Sequence, residues 1–255
     1  MNLFFKLLAV FTFLALFSSP VLADEMVSLK AGYLLLTPEG TFSVDGHGFS
    51  GTNIDLEDDL GVDDSKGLYL DAALQLANFR LGATYTPLSF EGSGQIDRTI
   101  IFNGQEYPVG TNVDSDVDID MIDAGLTMYL LNFDDLPVRI QLGPEIGLKY
   151  FNGDASLKDT TLGVEESEDL TFVVPQVGAR ARIAMADFVG VTGHAYYMRY
   201  SDNQVLDGEI QVEFSPLPLL GLFAGYRYFD LQVEESDIDI DIKFSGPFGG
   251  IMARF

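Results

Sequence analysis

Acidic side chains dominate the chemistry that this chain could perform. Its 255 residues include 39 Asp and Glu against 14 Lys and Arg, which gives a formal net charge of −25. Clustered carboxylates can bind hard cations such as Ca²⁺ and Mg²⁺. The candidates are the alternating Asp114, Asp116 and Asp118, and a loop with Asp55, Glu57, Asp58, Asp59, Asp63 and Asp64. Neither has the residue order of an EF-hand loop, and Ile119 stands where that loop needs glycine, so we predict solvated charged segments and no metal site.

Histidines are the next candidates, and the chain has two. His47 lies beside Asp45 in a glycine-rich stretch, and His194 lies near Tyr196 in an alternating segment. In neither place do a nucleophile, a base and an orienting group fall together, as nucleophilic catalysis requires. The chain has no Cys, so thiol catalysis, disulfides and cysteine-bound zinc are excluded. We therefore predict a non-enzymatic protein without a cofactor.

Other charged residues alternate with apolar ones. From Val138 to Tyr150 every second residue is apolar, whereas the opposite face carries Arg139, Glu145 and Lys149. A strand has a side-chain period of two, and this length suits an oblique crossing of a bilayer. We therefore predict a membrane strand whose apolar face contacts lipid. A soluble lipocalin-like barrel is an alternative, in which the same face points inward.

Ten segments along the chain repeat this alternation. They are Val27 to Pro38, Leu68 to Ala77, Phe79 to Glu91, Val113 to Leu131, Val138 to Tyr150, the stretch after Ser167 to Met185, Phe188 to Tyr200, Val205 to Ser215, Leu219 to Leu231 and Asp237 to Phe255. Short turns join them on one side, and long polar loops on the other include Glu39 to Ser65, a stretch to about Asn112, and Asn152 to Ser167. The pattern predicts an all-β fold, a transmembrane antiparallel up-and-down β-barrel of ten strands. Eight strands is the alternative, because Val205 to Ser215 is the weakest segment.

The N-terminus has the features of a cleaved secretory signal peptide. Lys6 precedes an apolar run from Leu7 to Phe17, and a small-residue cleavage site ends at Ala23. The run is shorter than the ~20 residues that a spanning helix needs. We therefore predict a signal peptide at 1–23 and a single barrel domain at 24–255.

Aromatic residues stratify along the segments like the two girdles of a membrane barrel. Tyrosines mark the outer ends and phenylalanines the other ends: Tyr33, Tyr85, Tyr150, Tyr197 and Tyr226, and Phe79, Phe133, Phe188, Phe214 and Phe255. With these girdles, the signal peptide and the terminal Gly250 to Phe255, the chain resembles the bacterial outer-membrane β-barrel superfamily. The resemblance implies the outer membrane of a Gram-negative bacterium, contact with lipid and lipopolysaccharide, and recognition of Phe255 by the barrel-assembly machinery. The acidic surface excludes nucleic acid as a partner.

Several segments are longer than a bilayer crossing needs, and their polarity inverts along their length. In the fourth, Asp114, Asp116 and Asp118 share a face with the lipid-facing alanine and leucines that follow. Because water replaces lipid above the headgroups, the apolar side chains there should turn inward. The same inversion in six segments predicts an apolar upper core, represented by Leu36, Phe90, Ile119, Phe172, Leu231 and Ile240. A β-bulge in each strand is the rival explanation.

The lower lumen should be rich in cations. The predicted lumen residues are Lys30, Arg80, Arg139, Lys149, Arg180, Arg182, Arg227 and Arg254, with Asp71, Asp123, Glu145 and Glu213 as candidate partners. These side chains form either a salt-bridged plug, because buried charges need partners, or an anion-preferring constriction. The predicted function is a porin-like barrel that binds or passes a small solute, which is hydrophobic if the apolar upper core encloses a cavity. The alternative is a structural or adhesive surface barrel with a plugged lumen.

Overall fold

The computed structural model describes residues 26–255 except 46–49, 98, 103, 134–137, 162, 187, 202, 218 and 235–237. The predicted signal peptide and His47 therefore lie outside the described residues. The described part of the chain forms fourteen strands: β1 (Val27–Val44), β2 (Ile54–Asp55), β3 (Ser65–Leu76), β4 (Phe79–Gln95), β5 (Ile100–Phe102), β6 (Gln105–Tyr107), β7 (Asn112–Met128), β8 (Leu131–Phe133), β9 (Arg139–Asp159), β10 (Glu165–Ala186), β11 (Val189–Tyr200), β12 (Asn203–Phe214), β13 (Leu220–Glu234) and β14 (Ile238–Arg254). No helix in this part of the chain is long and apolar enough to span a membrane.

Ten of these strands form one closed antiparallel barrel. Their order around the wall is β1, β3, β4, β7, β9, β10, β11, β12, β13 and β14, and β14 pairs with β1. The predicted ten-stranded up-and-down barrel is confirmed, and the eight-stranded alternative is wrong. The weakest predicted segment forms β12, which pairs with β11 from Asn203 to Phe214.

The alternation of the sequence separates the two faces of the wall. On β9, Ile146 and Leu148 are exposed on the outside, with 59% of the Ile146 side chain accessible. Glu145 and Lys149 are buried inside the barrel, and Lys149 has no exposed surface. The lipocalin-like alternative is therefore wrong, because the apolar stripe faces outward and the charged stripe inward.

Two of the predicted long loops are largely strand. Asn152 to Ser167 was expected to be a loop, but β9 and β10 stay paired up to Lys158 and Glu165. Their polar residues alternate with inward-facing small and apolar residues such as Ala155 and Leu157. The sequence pattern indicates a loop there because polar residues occupy the outward positions, which are apolar in the lower part of the same strands. Likewise, β4 continues to Gln95, and the stretch to Asn112 contains the β5–β6 hairpin.

The barrel wall varies in height at its upper end, which lies opposite the start of β1 and the end of β14. β9 and β10 have 21 and 22 residues, whereas β3, β11 and β12 have only 12. Above β3, the segment Ile54 to Val62 fills the gap: β2 pairs with β1, and Val62 forms a bridge with Gly92 of β4. The β11–β12 hairpin leaves a second low point in the wall.

Candidate functional site

At the lower end of the barrel, where β1 begins and β14 ends, the lumen holds a cluster of ion pairs around Glu213 of β12. Lys30 of β1 places its Nζ 2.8 Å from Glu213 Oε1, and Arg254 of β14 pairs with Glu213 Oε2. Arg182 of β10 adds a looser contact, with Nε at 3.8 Å. These side chains come from strands on opposite sides of the barrel, so together they span its interior.

A second cluster, centred on Glu145 of β9, lies above the first. Arg180 of β10 donates two hydrogen bonds to this carboxylate, at 2.8 and 3.1 Å. Tyr196 of β11 donates its hydroxyl to the same carboxylate at 2.7 Å. Such two-pronged, charge-assisted bonding holds a carboxylate in one orientation, which favours a static structure over an open passage.

The third and uppermost cluster contains two cations and two acids. Lys149 contacts Asp123 and also Asp207, at 2.7 Å for the latter. Arg227 of β13 reaches the same two acids, at 3.2 Å to Asp123 and 2.9 Å to Asp207. Because every charge here has two opposite partners, the cluster offsets much of the cost of burying it.

Two acidic residues of the lumen are not among those predicted from the sequence. Asp207 completes the uppermost cluster, and Glu209 accepts a hydrogen bond from the hydroxyl of Tyr69 at 3.2 Å. Both belong to β12, the segment with the weakest prediction. Its alternation of inward Asp207, Glu209, Gln211 and Glu213 with apolar residues was a usable signal.

The other predicted lumen residues also face the interior. Arg80 of β4 lies 3.9 Å from Asp71, whose carboxylate accepts a hydrogen bond from Thr84 at 3.1 Å. Arg139, near the lower end of β9, is half-buried on the inward face. The free spaces left between these side chains are small, about 50 Å³ around Glu213 and about 20 Å³ around His194. Each has room for a few water molecules at most.

A group of phenylalanines lies directly above the uppermost cluster. The Nζ of Lys149 lies 5.5 Å from the ring centre of Phe229 and 5.9 Å from that of Phe151, both cation–π distances. Phe151 stacks on Phe172 with ring centres 4.6 Å apart, and Phe90 stacks on Phe244 at 5.1 Å. Lys149 therefore marks the upper limit of the ion pairs: above it the lumen is apolar, whereas below it the ion pairs share the lumen with Phe223 and Phe248.

The polarity of the wall inverts at this border, as the sequence pattern predicts. On β7, Asp114 and Asp118 point outward and are exposed, whereas Val113 and Met121 are buried inside. The register of β7 with both neighbours is continuous, so the rival explanation by a bulge is wrong for this strand. The inversion is therefore a change of environment along an unbroken strand.

The carboxylates on the outer face of this upper wall influence one another. Desolvation raises the pKa of Asp116 above its ordinary value, and the nearby carboxylates of Asp118, Glu91 and Asp154 add to the shift. The acidic loop is organised internally: Asp55 Oδ1 accepts the backbone N–H groups of Glu57 and Asp58 at 3.0 and 2.9 Å. Within the described residues, no group of three or more His, Asp or Glu side chains is arranged to hold a metal ion.

The upper mouth of the barrel is covered by the β5–β6 hairpin, a segment that the sequence pattern predicts as loop. Three side chains of this hairpin are fully buried: Ile100, Phe102 and Tyr107. The hydroxyl of Tyr107 donates a hydrogen bond to the Leu157 carbonyl at 3.0 Å, and burial together with nearby carboxylates raises the pKa of Tyr107 to about 12. An Asn-Gly pair between two short alternating runs was the sequence signal for this lid.

An apolar cavity of about 110 Å³ lies between the lid and the ionic zone. Its walls include Ile119, Phe172, Leu231 and Ile240 of the predicted upper core, together with Phe102 of the lid. Leu36 and Phe90, the other two predicted residues, are buried in the same apolar cluster outside this lining. The structure thus brings all six residues into one cluster, while their role as a binding site stays a prediction.

Comparison with known proteins gives similarity of shape alone. No protein-family model and no curated protein matches the sequence. Among solved structures, Ail, the attachment invasion locus protein of Yersinia pestis, matches at 12% identity over 91% of this chain and 100% of its own, with a TM-score of 0.38. The translocator domain of the autotransporter NalP from Neisseria meningitidis matches at 13% identity over 98% and 94%, with a TM-score of 0.42. The outer membrane protein OprG from Pseudomonas aeruginosa matches at 9% identity over 90% and 95%, with a TM-score of 0.29. Likenesses at this level identify no activity or ligand for this chain.

Proposed function

We propose that this chain is a non-enzymatic outer-membrane barrel that binds a small hydrophobic molecule at its extracellular end. The observation that carries this proposal is the apolar cavity of about 110 Å³ between an ionic plug and a lid. Side chains fill most of the rest of the interior. An unfilled apolar space at this one level therefore supports a binding site for an apolar ligand.

The size of the cavity limits the ligand. An engineered cavity of ~150 Å³ lined by aliphatic and aromatic side chains stays dry and binds benzene. A cavity somewhat smaller than this accepts one ring or a few methylene groups. The proposed ligand class is therefore a single-ring aromatic or a short aliphatic compound without charge.

The ionic zone supports binding rather than passage through the barrel. Lys149, Arg180 and Arg227 each have acid partners within hydrogen-bonding distance, and the gaps between the clusters hold only a few waters. Moving a solute through would require breaking buried pairs, at several kcal/mol each. We accordingly favour the salt-bridged plug over an anion-preferring constriction.

Ligand binding can be tested with the barrel purified into lipid nanodiscs. Calorimetric titration with toluene should give saturable binding to the wild type, and Ile240→Phe, which fills the cavity, should abolish it. Ile146→Phe is the matched control, because it adds the same volume on the lipid-facing surface. Absence of binding by the wild type would contradict the proposal and leave the structural or adhesive barrel as the better reading.

Passage can be tested separately in a planar bilayer. We expect no discrete openings from the wild type, from Arg139→Ala or from Phe172→Ala, because none of these changes unlocks the ion pairs around Glu145 and Asp207. Discrete openings that change with Arg139→Ala would instead show a pore with its constriction at the periplasmic end.

We also propose an outer-membrane location, contact with lipid and lipopolysaccharide, and insertion by the barrel-assembly machinery. The exposed apolar belt supports lipid contact. Phe255 exchanges backbone hydrogen bonds with Val27 at 2.9 and 3.0 Å, and about half of its side chain is exposed at the end of the wall. In cells, Phe255→Ala should reduce the amount of folded barrel in the outer-membrane fraction, with Phe214→Ala as the control.

A further inference from the structure

The extracellular wall has two low points, and only one of them is filled by described residues. Above β3, Ile54 pairs with Phe42 of β1, and Val62 bridges to Gly92 of β4. Ile54 and Leu60 of this segment are fully buried. The wall is therefore continuous above β3.

The other low point is a notch above the β11–β12 hairpin. β10 pairs with β11 from Val177 and Tyr197 downward, whereas Glu165 to Gln176 pairs with β9 alone among the described residues. Pro175 lies at the level where pairing with β11 stops, and proline has no N–H to donate to a neighbouring strand. On the other side, β12 stays paired with β13 up to Gln204 and Gln232, and Asn203 Oδ1 accepts a hydrogen bond from the Glu234 N–H at 2.8 Å. The notch therefore lies between the long upper edge of β10 and the last two residues of β13, Val233 and Glu234.

The notch leads to the cavity. Phe172 of β10 and Leu231 of β13 line the cavity behind its two sides. Val174 and Val233 lie on the two edges, point inward, contact the apolar cluster and are only half-buried. An apolar surface therefore runs from the gap in the wall to the cavity, whereas the top of the barrel is covered by the lid.

The notch begins where the lipid-facing belt ends. Val177 and Val173 of β10 are exposed on the outside, and the outward residues that follow toward the tip are Thr171 and Asp169. A free strand edge cannot lie within hydrocarbon, because its backbone groups would lack hydrogen bonds. The edge of β10 therefore stands at the headgroup level, with its base next to the outer leaflet.

We propose that this notch is a lateral entrance through which a small apolar molecule passes between the outer leaflet and the cavity. The inference rests on the proposed function, because it assumes that the cavity binds such a molecule. It adds the route: the ligand leaves the membrane sideways, between β10 and β13, and does not pass through the lid or the ionic zone.

The test uses exchange kinetics of 4-fluorotoluene, followed by ¹⁹F NMR on the full-length barrel in nanodiscs. The chain has no native Cys, so a single Val174→Cys can be modified with a bulky sulfonated maleimide that blocks the notch. We expect exchange between bound and free probe to slow at least tenfold, with the bound population unchanged. Val109→Cys, on the exposed surface near the lid, is the matched control and should leave the exchange rate unchanged once modified.

Three outcomes of this experiment support or contradict the lateral entrance. Slower exchange with the modified Val174→Cys, repeated with Val233→Cys on the other edge, supports the lateral entrance even if one variant folds poorly. If exchange slows only with the modified Val109→Cys, or with neither modified site, the lateral entrance is overturned. Absence of a bound signal from the unmodified wild type refutes the proposed function itself, which separates the two failures.

A final comparison separates a free solute from a lipid acyl chain as the occupant. The probe should bind equally well to the barrel in nanodiscs and in lipid-free amphipol. Binding that appears only after lipid is removed would show that an acyl chain fills the cavity, and would overturn the entrance for a free solute.

Discussion

The lower and upper halves of this barrel are made from the same strands but have opposite interiors. Below Lys149 the lumen holds all the ion-pair clusters, with Phe223 and Phe248 packed beside them, and the outside is apolar. Above Lys149 the lumen is apolar and the outside is acidic. The strands pass through the border without a break in register. The medium outside the wall therefore determines which side chains face the interior. An apolar medium such as lipid leaves polar residues inside, and water leaves apolar residues inside.

We expect the largest loss of stability in the lower half from removing an acidic side chain that two cations share. Asp207→Asn leaves Lys149 and Arg227 with Asp123 as their common partner, and uncompensated buried charge is costly. We expect the free energy of unfolding to fall by about 3–5 kcal/mol. Urea unfolding in detergent micelles measures it. The exposed Asp118→Asn should change stability little, and an equal loss in both variants would contradict the role of the cluster.

Two neighbouring leucines test how well the interior of the upper half is packed. Leu36 is 1% exposed inside the apolar core, and Leu35 is 45% exposed on the outer face. Leu36→Ala should cost about 3 kcal/mol in the same unfolding experiment, because it removes buried apolar surface and leaves a cavity. Leu35→Ala should cost much less. Similar losses would mean that the inside of the upper barrel is no better packed than its surface.

The lid gives a smaller effect with a distinct pH dependence. Tyr107→Phe loses one hydrogen bond to Leu157, which we expect to cost about 1 kcal/mol at neutral pH. The pKa of Tyr107 is raised from 10.0 to about 12 in the folded protein, so its protonated form favours folding. The corresponding stability is fully present below pH 10 and is lost as the pH rises through about 12. Unfolding curves between pH 9 and 12 should be less steeply pH-dependent for Tyr107→Phe than for the wild type.

The smallest effect concerns the acidic outer face above the membrane. Because desolvation and neighbouring carboxylates raise the pKa of Asp116, its ionised form opposes folding at neutral pH. Asp116→Asn should therefore stabilise the barrel at pH 7, by less than about 1 kcal/mol for such a surface site. The gain should shrink as acid protonates Asp116 in the wild type. A loss of stability at pH 7 would show that this carboxylate has a favourable partner.

Much of the fold could be predicted from alternation alone, but the upper ends of the strands could not. The number of barrel strands and the direction of each face follow from the period of two, as for Ile146 outside and Lys149 inside. The extension of β9 and β10 was missed because alternation of Asp154 and Lys158 with small residues resembles a polar loop. The β5–β6 hairpin was missed because strands of three residues are too short to give a periodic signal.

Local alternation along the chain, together with the surrounding solvent, is enough to predict the barrel, its two faces and the height at which the faces exchange polarity. Which charges share partners, as Lys149 and Arg227 do at Asp207, follows from the three-dimensional arrangement of the strands. It alone also formed the cavity and left the notch beside it. These features depend on how strands of unequal length meet around a closed wall, which brings together residues far apart in the chain.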